Sequence, residues 1–375
     1  MAGIYLHIPF CRKACHYCNF HFSTRLQNKN AVVSALLTEI DREAYRLSGQ
    51  TIETIYFGGG TPSLLSVPEL NSLLNGLAKK FSIAENAELT LEANPDDIDK
   101  ELLYEWGKAG INRLSIGVQS FREEDLIWMN RAHTAGEALS SIRLAREAGF
   151  SNMTIDLIYG TPDLTDEAWL DNLSKAVELD VPHLSCYALT VEPKTALHHM
   201  VEKKQLPDTD PEQQARQFLQ LMERTKEAGY EHYEVSNFAR PGYRSRHNSA
   251  YWQGIPYLGI GPGAHSYDGL HRRWNFPNNA LYLSGIEKGL PVFEEEKLTP
   301  DNRFNEYVMT ALRTMEGIQL EKIRELKGND YAEVILSKAA RYERLLQLEI
   351  TDSGILLTNA GRLFADGIAA DFFTD

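Results

Sequence analysis

Over its first 190 residues the chain alternates short apolar, β-rich runs with segments of helical periodicity. The runs fall at 4–8, 52–57, 89–93, 114–118, 153–158 and 184–189. Parallel neighbours need a crossover long enough to hold a helix, so six strand–helix units in series predict a parallel sheet. The expected class is α/β, a partial (β/α)6 TIM-like barrel. Asn30 opens one helical run that reaches Leu47, and Ser66-x-x-Glu69 makes a capping box for another ending near Phe81.

In parallel α/β folds chemistry gathers at the carboxyl ends of the strands. A cluster of cysteines follows the first run, and Gly58-Gly59-Gly60-Thr61-Pro62 follows the second. Glu92 and Gln119 end the third and fourth, Asp156 lies in the fifth, and Ala188 falls near the end of the sixth. The unusual side chains therefore converge on one rim.

After Leu189 the pattern changes. A helix is expected over 211–228, followed by a stretch rich in Gly, Tyr and His over 230–267 that is too irregular for element assignment. From Pro300 the chain is helical again, and 346–358 reads as two short strands around a turn. The resulting division is 1–230 for the barrel, 231–299 for an irregular connection, and 300–375 for a winged-helix-like domain. A winged helix serves DNA binding, protein contact or lid roles equally, so its fold does not fix its function.

The formal net charge of -14 over 375 residues argues against a broad grip on nucleic acid or an anionic membrane. No run approaches the ~20 apolar residues of a membrane span, and no signal-peptide pattern opens the chain. The expectation is a cytoplasmic protein with at most peripheral membrane association.

Of the four cysteines, Cys11, Cys15 and Cys18 lie within eight residues. That spacing suits a metal site in a reducing compartment better than a disulfide framework. Structural zinc wants four protein ligands, and neither His16 nor His21 leads to a familiar downstream pair. Three thiolates on one loop instead hold three irons of a cubane and leave the fourth open. An incidental cluster is the alternative. Cys186 reads as a small buried hydrophobe, and His198 with His199 as a solvated pair.

The run Cys11-x3-Cys15-x2-Cys18, with Tyr17 before the last cysteine, resembles the signature of radical S-adenosylmethionine (SAM) proteins. The lead-in Ile4-Tyr5-Leu6-His7-Ile8-Pro9-Phe10, and the strings GGGTP, VQSF, DLIYGTP and LGIGPGAHS, resemble the branch containing the coproporphyrinogen III oxidase HemN and the heme chaperone HemW. The resemblance implies a 4Fe-4S cluster on the three cysteines. It also implies SAM contacts from Tyr5, Tyr17, Gly59, Gly60, Thr61, Glu92, Gln119, Arg131, Asp156, Ala188 and His265. Histidine at 265 departs from the oxidase, where that position is aliphatic.

Two features separate the oxidase from the chaperone. Phe20 stands where the oxidase pattern has a fourth cysteine, and His247-Asn248-Ser249-Ala250-Tyr251-Trp252 matches the H-N-x-x-Y-W pattern of the chaperones. The resemblance thus implies heme as a third cofactor, bound by His247, Asn248, Tyr251 and Trp252 with His247 as axial ligand. It implies heme-accepting partners such as respiratory cytochromes; the acidic charge points to no nucleic-acid partner, and the oligomeric state, a homodimer included, stays open. A radical decarboxylase of coproporphyrinogen and a cluster-bearing regulator are the alternatives.

Overall fold

The computed structural model describes residues 1–374. Six parallel strands run through the first half: β1 (Ala2–Ile8), β2 (Thr51–Gly59), β3 (Ser82–Ala93), β4 (Arg113–Gln119), β5 (Met153–Tyr159) and β6 (His183–Ala188). They pair in sequence order. Ile4, Leu6 and Ile8 are buried beside Ile55 and Phe57, as strands covered on both faces require. Helix Lys29–Glu43 packs on helix Val67–Lys80, burying Leu36 and Ile40 with Leu70 and Leu77 in the same core.

The first helix begins one residue before Asn30, with Asn28 at its N-cap but making no side-chain bond, and 44–47 tightens into a separate 3-10 turn. The box before the second helix forms: the Ser66 backbone N–H and hydroxyl both donate to Glu69 Oε2, at 2.7 and 2.8 Å.

The stretch 231–299 is not an irregular connection. It extends the sheet at both ends. β7 (Glu231–Glu234) and β8 (Asn237–Ala239) form a hairpin laid antiparallel on β6. β9 (Tyr257–Ile260) pairs parallel with β1, and β10 (His265–Tyr267), β11 (His271–Asn275) and β12 (Phe293–Lys297) continue outward antiparallel. The result is an open sheet of 12 strands with β12 and β7 at its ends. Strands of three to five residues are too short to establish a period of two in sequence. Glycine at 259 admits the close turn from β9 to β10, because a Cβ there would overlap the His265 carbonyl.

Helix Pro300–Leu312 opens the C-terminal segment. Beyond it a small sheet joins β13 (Ile318–Gln319), β14 (Leu348–Ile350) and β15 (Gly354–Leu357) in a winged-helix-like arrangement. Phe304, Val308, Ile323, Ile335, Ile355 and Phe372 form a core of its own. The segment touches the large sheet near both ends. On one side Met315 N–H donates to Tyr233 O at 3.0 Å and Arg244 pairs with Glu316 at 2.8 Å. On the other, Arg272 pairs with Glu306 at 3.0 Å. It thereby bridges the gap that the open sheet leaves.

Candidate metal and cofactor site

The loop leaving β1 is pinned along its length. Cys11 N–H donates to Ser23 O, His16 N–H to Met129 O, and Asn130 Nδ2 to Ala14 O. Gly60 lies so close beneath this loop that a Cβ would sit 2.6 Å from Phe10 O, so the glycine turn fixes the cysteine loop as well as the cavity floor. The three thiols are free and partly buried. Thr61 Oγ1 approaches Cys11 Sγ at 3.4 Å, and Arg131 Nη1 donates to Cys15 Sγ at 3.2 Å. Burial raises the Cys11 thiol and pushes Cys18 up to about 12, with neighbouring thiols adding to it. Thiolates here call for a positive partner.

These thiols open on a cavity of about 930 Å³ lined also by Tyr17, Gly59, Gly60, Thr61, Glu92, Gln119, Arg131, Asp156 and Ala188. Glu92 accepts from Tyr56 Oη at 2.9 Å and Gly59 N–H at 3.1 Å. Burial, then the nearby Asp156, raises it to about 7. Asp156 itself is raised to about 6 by burial, against the pull of Arg113 and Arg131. Two carboxyls held above their ordinary range are stabilised in ionised form by a cationic ligand. Arg131 donates through Nη2 to Asn94 Oδ1 and Gly117 O, both at 2.8 Å, while its buried Nε has no hydrogen-bond partner among the described residues.

The sequence reading missed Asn94 and Arg113, both lining this cavity. Asn94 follows Glu92 at the same strand end, a signal that was available. Arg113 opens β4 and is 1% exposed, with Nε and Nη2 lacking hydrogen bonds and Glu88 at 3.9 Å. A buried arginine at a strand start gives no sequence cue.

Tyr5 and His265 do not line this cavity, although Tyr5 lies beside Gly58 and Glu92, a Cβ on Gly58 falling 2.8 Å from its ring and 2.9 Å from Glu92 Oε1. They line a second cavity of about 1070 Å³, between the β1, β9 and β10 side of the sheet and the C-terminal segment. Asn19 and Phe20 border both cavities.

The H-N-x-x-Y-W residues form helix Arg246–Trp252, capped by Ser245. The backbone N–H groups of Arg246 and His247 donate to Glu88, each at 3.1 Å. His247 is 2% exposed and stacks on Tyr56 at 5.0 Å between ring centroids. Its Nδ1 meets Thr54 Oγ1 at 2.7 Å and its Nε2 meets Tyr251 Oη at 2.8 Å. Burial lowers its pKa to about 3, so it is neutral. Both ring nitrogens are thus engaged, so the axial ligation that the resemblance implies would require one of these bonds to break. His247 also sits near the amino ends of β1 and β2, beside Gly3 and Thr54, at the opposite end from the cysteines. The four residues are divided, Asn248 lining the first cavity and Tyr251 with Trp252 the second.

The model of the radical SAM superfamily matches residues 5–176, and that of the HemN C-terminal domain matches 298–364. A heme chaperone HemW of Mycobacterium tuberculosis is 36% identical over 373 residues, 98% of this chain and 93% of the relative. That of Bacillus subtilis is 32% identical over 375 residues, 99% of each. The solved coproporphyrinogen III oxidase HemN of Escherichia coli superposes with a TM-score of 0.87 at 26% identity, covering 100% of this chain and 90% of that one. The fold and the three-cysteine loop define a radical SAM protein. Within that superfamily, the chain belongs to the HemW heme chaperone family. Among the described residues no helix is long and apolar enough to cross a membrane.

Proposed function

We propose that the protein binds heme and delivers it to an acceptor apoprotein, with a 4Fe-4S cluster on Cys11, Cys15 and Cys18 and SAM in the first cavity. The observation that carries this reading is the cavity itself. Three thiols free of disulfides, two buried carboxyls and the Arg131 guanidinium line one space. That donor set fits a cluster with an open iron and a ligand bearing a cationic end and a carboxylate.

When bound, the cluster would supply one open coordination position and a redox centre. Glu92 and Asp156 would orient the cationic end of SAM, and Arg131 its carboxylate. Tyr17, whose ionisation burial opposes, would cover the loop as a neutral ring. Heme would rest on the Tyr251–Trp252 face of the motif helix, where flat rings border open space. His247 would serve it by holding Tyr251 in place. Phe20 is 67% exposed at the edge of both cavities; by the resemblance it stands where the oxidase has a fourth cysteine, which favours carriage of a finished porphyrin over its decarboxylation.

The test is anaerobic titration of the cluster-reconstituted chain with heme, followed by incubation with a heme-free cytochrome and, in parallel, with coproporphyrinogen. Saturable heme uptake and appearance of holo-cytochrome are expected. Turnover of coproporphyrinogen without heme uptake would replace the chaperone with the oxidase.

A further inference from the structure

The second cavity joins three kinds of group that nothing in the cysteine site uses. The first is aromatic wall: Tyr251, Trp252, Tyr257 and Tyr267 border it, with Tyr251 packed edge-on to Tyr257 at 4.5 Å. The second is His265, an exposed residue whose imidazole makes no hydrogen bond or ion pair among the described residues. The third is charge. Arg272 is paired with Glu306 at 3.0 Å and Lys322 with Glu325 at 2.8 Å. Arg303 also lines the cavity and has no carboxylate partner among the described residues.

We infer that this cavity is the heme seat, with His265 as iron ligand and Arg303 as partner of a propionate. The inference rests on the heme-carrying function proposed above and deepens it. A metalloporphyrin presents a flat apolar disc, an axial position that takes a neutral imidazole, and carboxylates at one edge. The tyrosines and Trp252 answer the first, His265 the second and Arg303 the third. The histidine has a second qualification. His7 and His21 also border the cavity, but His7 Nε2 is bound to His21 O at 2.8 Å and Nδ1 to Tyr5 Oη at 3.2 Å, while His21 Nε2 is bound to Asn279 at 2.7 Å. His265 is the imidazole with both nitrogens free among the described residues that line the space.

The walls come from different parts of the chain. His265 and the tyrosines belong to the large sheet and the motif helix, Arg303 to helix Pro300–Leu312 of the C-terminal segment. Relative movement of the two would separate ligand from propionate partner, a direct route to release.

The test uses the full-length, cluster-reconstituted chain titrated anaerobically with heme and read by its Soret band, with iron content and the SAM response as controls. His265→Ala should shift the Soret band and weaken binding at least about tenfold. His265→Met should restore binding with a band distinct from both, because thioether replaces imidazole on the iron. Arg303→Gln should weaken heme binding about tenfold without moving the band, and should leave binding of heme dimethyl ester unchanged. Wild-type affinity and spectrum in His265→Ala, with heme still bound by the parent chain, would overturn this assignment and leave the chaperone reading standing. Absence of heme binding by the parent chain would overturn the chaperone reading and this inference with it.

Discussion

The two cavities lie side by side, share Asn19 and Phe20, and are built in opposite ways. The first is set mainly by the carboxyl ends of β1 to β6 and the loop that follows β1. Its polar groups are buried and held by many short hydrogen bonds. The second lies where β1, β9, β10 and β11, the motif helix and the C-terminal segment meet, and its key groups have few partners. A scaffold that fixes a cluster needs rigidity; a seat that must give up its cargo needs parts able to separate.

The largest effect that could break this contrast concerns the cysteines. Anaerobic reconstitution should load about four irons per chain. Replacing Cys11, Cys15 or Cys18 by Ala should abolish the visible chromophore, whereas Cys186→Ala should retain it, since Cys186 is 1% exposed in the core of β6. Iron content by colorimetric assay decides. Loss of iron from the Cys186 variant alone would reassign the ligands.

Next come the carboxyls. Glu92→Ala and Asp156→Ala should each weaken SAM binding about tenfold while iron is kept, as seen by the SAM-induced change in the reduced cluster's paramagnetic spectrum. Because the two carboxyls are raised to about 7 and about 6, SAM affinity should climb as pH rises across that range and both ionise. A flat profile in the parent chain would remove them from the cationic end of the ligand.

His247 tests the boundary between the cavities. His247→Ala leaves the Thr54 and Tyr251 hydroxyls unpaired in the interior and opens a void beneath Tyr56, so a loss of about 2–4 kcal/mol in chemical denaturation is expected. Tyr251→Phe should cost only about 1 kcal/mol and leave Nε2 unbonded. If His247 instead ligates heme, Tyr251→Phe should tighten heme binding and His247→Ala should abolish the axial-ligand band.

How much of this was legible beforehand follows the same contrast. Strand-end logic grouped Glu92, Gln119, Asp156 and the glycine turn, which line one cavity, because each lies within a residue or two of a strand that its own pattern reveals. Tyr5 and His265, which the resemblance put with SAM, border the second cavity. His265 stands on a strand of three residues, and Arg303 meets that cavity through packing between segments far apart in sequence. No local pattern encodes such a meeting. The extension of the sheet by β7 to β12 escaped for a related reason: those strands gain their stability from the ladder they join, not from a periodic apolar face of their own.

The smallest effect concerns the contact that carries the C-terminal segment over the first cavity. Arg362, which lines that cavity, donates to His232 O at 3.3 Å and lies near Glu234, whose Oε1 is buried without a hydrogen bond. Burial lifts Glu234 from its ordinary 4.5 to about 7, although Asn237, local backbone N–H groups and Arg362 pull it down. A folded-state value above the unfolded one means that the protonated form is favoured on folding. Its contribution is full below about pH 4.5 and is lost as pH rises through about 7. Glu234→Gln keeps the neutral form at every pH. The variant should therefore match the parent near pH 4.5 and exceed it above pH 7, by on the order of 1–2 kcal/mol or a few degrees in Tm. If the variant instead loses stability at pH 8, the Glu234–Arg362 attraction outweighs burial. The first cavity would then be closed by an ion pair, as the second is beside Arg272 and Glu306, and the difference between the two closures would vanish.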